Sequence, residues 1–457
     1  MRACTMTAAP LRAARAKRHQ PDTSSKIDIM GPMTFQPPGT TPPPPRDSAR
    51  TDEIRKVAAD LFQSAGYSST TMNEIAKATG ILPGSLYHHF ASKEEIAIEI
   101  MEAFNRGLTD LAARLAKQQR SRAGSAQEEL RRFAAEATAF SFEHGAAIRL
   151  RAYEAPTVAT SRLREAMDFV PRGLGKVWNT SINDMLTEAG VTFAHRGLLR
   201  YALLNATLTA SMTHEPGSDA ADLARRTCDL LLTGASPNPP SWDELDASPA
   251  LRAAEDAIAR WKAPLADPPA NSREAIMLAA RSEFARRGYS ATTIRDVANA
   301  AGIRMGTLYR RVDSKEQILS EILGDYSSQL DDAVRSVLGS GSTAVEGLDG
   351  MARLFITASR RFREESEIVK LGWIGREADS NPFRDYYLQT QKRLALWEKL
   401  FEDGQANGSI RPVAPPQDLA IDVRTLLWIP FRDHARTSEA RAHEFLRCTL
   451  LRGALTP

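Results

Sequence analysis

The 457-residue chain contains no run of about 18 consecutive apolar residues, so no segment reads as a membrane span. It carries only three cysteines, Cys4, Cys228 and Cys448, too far apart for metal-ligand spacing. That disfavours a zinc site and a disulfide framework and fits a reducing, cytoplasmic setting. His144, His195 and His214 have no ligand spacing either, so no metal is expected. A net charge of +3 is too small to name a partner, and charge has to be read locally. Alternating apolar and polar stretches are nearly absent, which leaves an all-α chain. The marks of common enzymes are missing as well: no G-x-S-x-G elbow, no G-x-x-x-x-G-K-S/T loop, no H-E-x-x-H helix and no G-x-G-x-x-G turn. No catalytic activity and no cofactor are expected.

What the chain does have is a repeat. The segment "TTMNEIAKATGILPGSLYHHFASKEEI" from Thr70 returns as "TTIRDVANAAGIRMGTLYRRVDSKEQI" from Thr292. Across residues 66–96 and 288–318 the two copies align without a gap and agree at 16 of 31 positions. The shift of 222 residues is domain-sized, far above the roughly 20–50 residues of a stacked repeat. A whole unit is duplicated.

The spacing sets the domain plan. Residues 1–47, rich in Arg, Ala, Pro and Thr, read as disordered, with translation from Met30 or Met33 as one alternative and a basic phosphate-brushing arm as another. Residues 48–105 and 271–323 are the two copies of the motif; 106–235 and 324–457 are helical bundles. Residues 236–270 form a Pro-rich linker, interrupted by a short helix around residues 250–261.

In each copy an amphipathic helix ends at a glycine, Gly66 or Gly288. The N-cap signatures Thr71-x-x-Glu74 and Thr293-x-x-Asp296 then start a short helix. Gly80 or Gly302 closes it, a second short helix follows, and Ser92-x-x-Glu95 or Ser314-x-x-Gln317 caps a long third one. Helix, glycine turn and short helix are the geometry that places a reading helix in the major groove. Lys93 and Lys315 stand in the first turn of the long helix, where a cation opposes the helix dipole, and a phosphate contact would account for them.

These residues resemble the DNA-binding domain of TetR-type transcriptional regulators, over roughly residues 49–103 and 271–323. The resemblance implies contacts to double-stranded operator DNA. In the first copy they fall to Ser85, Tyr87, His88 and Lys93 at phosphates or the groove, with Leu82 and Pro83 at base edges and Thr71 at the cap. In the second copy Arg304 and Met305 face bases, with Thr307, Tyr309, Arg310, Lys315 and the cap Thr293 completing the set. Leu86, Phe90, Leu308 and Val312 are read as core. The second copy departs from the family's usual Tyr-x-His-Phe, with Tyr309-Arg310-Arg311-Val312 in its place. It is also the more basic, with nine Lys and Arg against six Asp and Glu over 272–323; residues 46–106 have seven against nine. Arg304 suits guanine, whereas the altered run allows the alternative that only the first head reads DNA and the second unit is a covalent dimerisation partner.

Beyond the heads, "LLNATLTASMTHEPG" (Leu203 to Gly217) and "ANGSIRP" (Ala406 to Pro412) resemble the family's ligand-binding and dimerising domain. The former is similar to a segment of regulators that answer acyl- or aryl-thioesters of coenzyme A, with Met212-Thr213-His214 where an aromatic is usual. A small hydrophobic effector that releases a repressor is implied, with Arg149, Arg151, Tyr153, Trp178, Trp373 and Trp397 as candidate contacts. Leu199, Leu203, Ala206 and Ala210 make a helix-packing seam. Together with 220–232, 419–429 and 439–451, the seam leads us to expect an intramolecular pseudo-dimer, with a homodimer of whole chains as a further option.

Overall fold

The computed structural model describes residues 48–121, 124–153, 160–169, 172–261, 268–269, 271–372, 381–432 and 437–456. The expectations for residues 1–47 and Trp373 lie outside them. Among the described residues every regular element is a helix.

The first head is α1 (Ser48–Ser64), α2 (Met72–Ala78) and α3 (Pro83–His89). Ile54, Ala58, Phe62, Ile75, Leu86 and Phe90 meet in its core, none more than 2% exposed. Each large apolar side chain buried this way is worth about 1.5–3 kcal/mol. Thr71 and Glu74 form the expected capping box on α2. Ser92 caps α4 (Lys93–Arg120), whose stripe Ile96, Ile100, Phe104, Leu108, Leu111 and Leu115 runs from the head into the first bundle. That bundle continues with α5 (Ala126–Glu143), α6 (Gly145–Tyr153), α7 (Ser161–Met167) and α8 (Arg172–Glu188). It ends with α9 (Arg196–Leu208), a 3-10 turn at Ala210–Met212, and α10 (Ala220–Leu232).

The linker is more ordered than its composition suggests. Ser241 and Ser248 cap α11 (Trp242–Asp246) and α12 (Pro249–Arg260), and Pro249 sits at the first turn, where its missing N–H costs nothing. Ala250, Leu251, Ala254 and Ala257 then form one buried stripe, which gives α12 a face to pack.

The second head is α13 (Arg273–Arg287), α14 (Ile294–Ala300) and α15 (Met305–Tyr309). Its bundle is α16 (Lys315–Leu338), α17 (Ala344–Arg361), α18 (Arg363–Leu371), α19 (Arg384–Ala406), α20 (Pro416–Arg432) and α21 (Glu439–Leu446), with a π turn at Arg447–Leu451. The α12 stripe packs on α16 and α17. A Cβ on Gly350 would lie 2.8 Å from the Ala250 carbonyl oxygen, so α12 and α17 touch at backbone level. Arg447 ties α11 to this core by hydrogen bonds to Asp246 (2.6 Å) and to both oxygens of buried Asp349 (2.8 and 2.7 Å). Burial alone would raise the Asp349 carboxyl; the bonds from Arg447 and His443 hold it below its ordinary value.

The two units pack on each other within the chain. Helix α9 meets α20, and α10 meets the π turn. Buried Arg226 donates to Asp418 at 2.7 Å, and His214 Nε2 lies 3.0 Å from Asp422 Oδ1. At the end of each unit a glycine takes positive φ, +81° at Gly234 and +93° at Gly453. A Cβ on Gly234 would stand 2.5 Å from the Arg452 carbonyl carbon, and one on Gly453 2.3 Å from that of Thr233. The two backbones cross there, and only glycine leaves room for it.

Candidate DNA-reading surfaces and effector cavity

On α3 the residues expected to face DNA point outward. Leu82 is 78% and Tyr87 54% exposed, and Pro83, Ser85 and His88 are exposed too. Leu86 and Phe90 lie inside, as their spacing implied. On α15 Arg304 and Arg310 are exposed, Tyr309 is 55% exposed, and Met305 and Thr307 are half-buried. Arg310 donates to the Thr307 hydroxyl at 3.2 Å. The caps Thr71 and Thr293 are exposed beside these helices. Their partners are held firmly ionised: hydrogen bonds from Thr293 bring the Asp296 carboxyl down to about 2.

The lysines have another task. Lys93 Nζ donates to the carbonyl oxygens of Tyr67 (2.6 Å) and Thr70 (2.7 Å) and lies 4.4 Å from the centre of the Tyr67 ring. Lys315 repeats this at Tyr289 and Thr292, both at 3.0 Å, with its ring contact at 4.0 Å. Burial lowers its ammonium below the ordinary lysine value. Each lysine closes the loop between the first two helices of its head and stays half-buried at the head's surface. These carbonyls and the tyrosine ring account for a cation in a first helical turn from within the head.

Two residues escaped the sequence reading. Gly84 and Gly306 occupy the second position of α3 and α15 in both copies, yet a Cβ on either would meet nothing within 4 Å. A helical glycine costs about 0.5–1 kcal/mol relative to alanine, and nothing inside the head requires it. Its recurrence at an open helix start was the available signal. The second head also differs in length: α15 stops at Tyr309, five residues long, where α3 has seven.

Between the bundles lies a cavity of about 700 Å³. Phe104 and Leu108 of α4, and Tyr201 and Leu204 of α9, line one side; Phe355 of α17, and Leu394 and Trp397 of α19, line the other. Among the described residues five cations reach it, Arg151, Arg200, Lys370, Arg393 and Arg424, and no aspartate or glutamate lines it. Arg393 is 6% exposed and satisfied by Asp331 and Ser327, each at 2.7 Å, while Lys370 pairs with Glu367 at 3.1 Å. Arg151 and Arg200 form no hydrogen bond or ion pair among the described residues. Desolvation lowers Arg151, and the nearby charge of Asp168 opposes that shift.

Of the candidate effector contacts, Arg151 and Trp397 line the cavity. Trp178 does not; it is fully buried in the first bundle. The Tyr153 side chain lies outside the described residues. Arg149 is also absent from the lining, and it links two other elements. Its guanidinium donates to the Gln63 carbonyl in α1 at 3.2 Å and to the Ser211 carbonyl at 3.4 Å, in the turn just before cavity residues Met212 and Thr213. In the second unit Arg281 of α13 pairs at 2.9 Å with buried Glu365, next to cavity residue Ser366. Each head is thereby tied by one arginine to the cavity wall. No helix among the described residues is long and apolar enough to cross a membrane.

Comparison with known proteins finds one family at both heads. Residues 54–100 and 276–322 each match the family of bacterial regulatory proteins described as the tetR family. The chain is 30% identical over 169 residues to the HTH-type transcriptional repressor KstR2 of Mycolicibacterium smegmatis, covering 36% of this chain and 80% of that protein. Over 68 residues it is 50% identical to KstR2 of Rhodococcus jostii, covering 14% and 33%. Among solved structures, the ketosteroid transcriptional regulator KstR2 of Mycobacterium tuberculosis aligns at 24% identity and a TM-score of 0.34, over 40% of this chain and 91% of that one.

Proposed function

Because the chain belongs to the tetR family of bacterial regulatory proteins, we propose that it is a ligand-responsive repressor in which two unlike reading heads on one covalent pseudo-dimer grip operator DNA together. The first head offers Leu82, Pro83, Ser85, Tyr87 and His88 to the groove, and the second Arg304, Met305, Thr307, Tyr309 and Arg310. Gly84 and Gly306 leave the start of each reading helix open to close approach by the phosphate backbone. Arg304 pairs with a guanine edge, and the tyrosine hydroxyls reach phosphates while their rings lie against the head.

The effector is an apolar anion, of the acyl-coenzyme A type. The observation that carries this is the cavity: its volume falls within the roughly 300–1,000 Å³ of small-molecule sites, its walls are largely apolar, and its charged lining among the described residues is cationic. The likeness of "LLNATLTASMTHEPG" to thioester-responsive regulators supports it, since Leu204, Asn205, Leu208, Thr209, Met212 and Thr213 of that segment line the cavity. Occupancy releases DNA by favouring a separation of the heads that no longer fits the groove, through Arg149 and Arg281. That requires tighter binding of effector to the DNA-incompetent state.

A gel shift on the chain's own upstream DNA tests this, with acyl-coenzyme A titrated into the complex. Release with a thioester and retention with coenzyme A alone is the expected result; retention with both removes the induction reading. A second reading, in which the second unit serves only as dimerisation partner, draws support from the short α15. Loss of binding on Arg304→Ala would exclude it.

A further inference from the structure

The cavity is shared between the two units, and its charge is not shared evenly. We propose that it is a single site that takes one amphipathic anion per chain, anionic end against the first unit and apolar body against the second, so that the ligand itself bridges the halves. This rests on the reading of the cavity as an effector site and adds its stoichiometry, orientation and composite nature.

Three observations carry it. First, α4, α6, α8 and α9 of the first unit and α16 to α20 of the second line one continuous space, so a molecule filling it touches both. Second, the cations divide into two kinds. In the second unit Lys370 and Arg393 are neutralised by Glu367 and Asp331, and Arg424 is engaged within the protein. In the first unit Arg151 and Arg200 have no such partner among the described residues. An anion bound at Arg151 and Arg200 gains charge-assisted hydrogen bonds without displacing a carboxylate, whereas at Lys370 or Arg393 it would compete with one. Third, the second unit contributes aromatic and aliphatic lining of its own, Phe355, Leu394 and Trp397, while its cations are engaged, so the free charge of the site lies on the first unit and apolar surface on both. Charge toward Arg151 on α6 and Arg200 on α9, with the apolar body reaching Phe355 on α17 and Leu394 and Trp397 on α19, is the orientation that uses the unengaged cations and both units.

The anion's chemistry has two sources, a free carboxylate or the phosphates of a thioester's carrier. Titration calorimetry on the full chain with dodecanoyl-coenzyme A, dodecanoate and dodecanol distinguishes them. One equivalent per chain is expected, with at least one of the two anions binding tenfold or more tightly than the alcohol. A preference for dodecanoate identifies a carboxylate, and a preference for the thioester identifies the carrier.

Arg200→Gln, in the first unit, is expected to weaken the anions about tenfold and leave dodecanol unchanged. Leu394→Gln, in the second unit, is expected to weaken all three. Leu394 is only half-buried, and thermal melting of each variant confirms that it folds. Two equivalents per chain, equal affinity for the alcohol, parental binding by Leu394→Gln, or no binding by any probe would overturn the proposal. Binding is read without DNA, so a chain that takes one dodecanoyl-coenzyme A yet stays on its operator keeps this site and loses only the induction reading.

Discussion

The two heads agree where the fold closes on itself and differ where it opens outward. Thr70 and Thr292, the capping threonines, Leu86 and Leu308, and the lysines over their tyrosine rings are the same in both copies, and each has a hydrogen bond or buried contact that fixes it. Leu82 against Arg304, Pro83 against Met305, and His88 against Arg310 differ. All but Met305 are exposed, and it is half-buried. Tyr87 and Tyr309 are the informative exception: more than half exposed, identical, and not required by the core. One framework therefore presents two chemistries, with a shared anchor on each.

The comparison can be broken most severely where the units cross. Gly453→Val forces a side chain into the Thr233 backbone at a φ of +93° and should cost more than about 3 kcal/mol. Thermal melting is expected to show that loss, and the two heads should then bind DNA without mutual reinforcement. A variant that melts like the parent would show that the crossing is not tight.

Lys93→Met and Lys315→Met should each destabilise the chain by about 1.5–3 kcal/mol, the usual range for hydrogen bonds to a charged group. A lost phosphate contact would instead lower the slope of log affinity against log salt by about 0.9. A slope that falls with stability unchanged would give the lysines to DNA alone, and a fall in both would give them both tasks.

These lysines show where sequence reading stopped. Caps, turn glycines and buried stripes are local, so both heads and their core were legible from spacing alone. The lysine's partners are carbonyls more than twenty residues earlier, and a local weighing of helix dipole against phosphate could not see them. The cavity was hidden for the same reason: Arg200 of α9 and Leu394 of α19 line one space only because α9 packs on α20, which in turn packs on α19. Arg149 read as a possible anion contact from its place beside Arg151, but neighbours along a helix face different directions, and Arg149 turns to α1. In the linker the described prolines stand at a helix start or outside the helices, and α12 falls close to the short helix expected around residues 250–261.

Gly84→Ala and Gly306→Ala sharpen the comparison at smaller cost. Each should raise stability by about 0.5–1 kcal/mol, because no atom opposes the added methyl, while weakening DNA binding. Chemical denaturation with parallel gel shifts checks both signs, and unchanged binding would remove the close approach at that head.

The smallest effect is expected from pH. Burial holds His195 below its ordinary value of 6.5; Glu444 opposes this and Arg441 adds to it. A depressed histidine binds its proton more readily when unfolded, so its contribution is complete above 6.5 and lost as pH falls from there toward the folded value. His144, lowered mainly by burial, has the same sign. Melting temperature should decline between about pH 7 and pH 5.5, less in a chain carrying His195→Gln. An equal decline in both chains would place the effect elsewhere.

Selection of binding sites from random DNA by the full chain tests the central claim most directly, that two unlike heads on one chain read one operator. It should recover asymmetric sites, two unlike half-sites about one helical turn or a multiple apart, each occupied by one chain. Recovery of perfect palindromes occupied by two chains would contradict it.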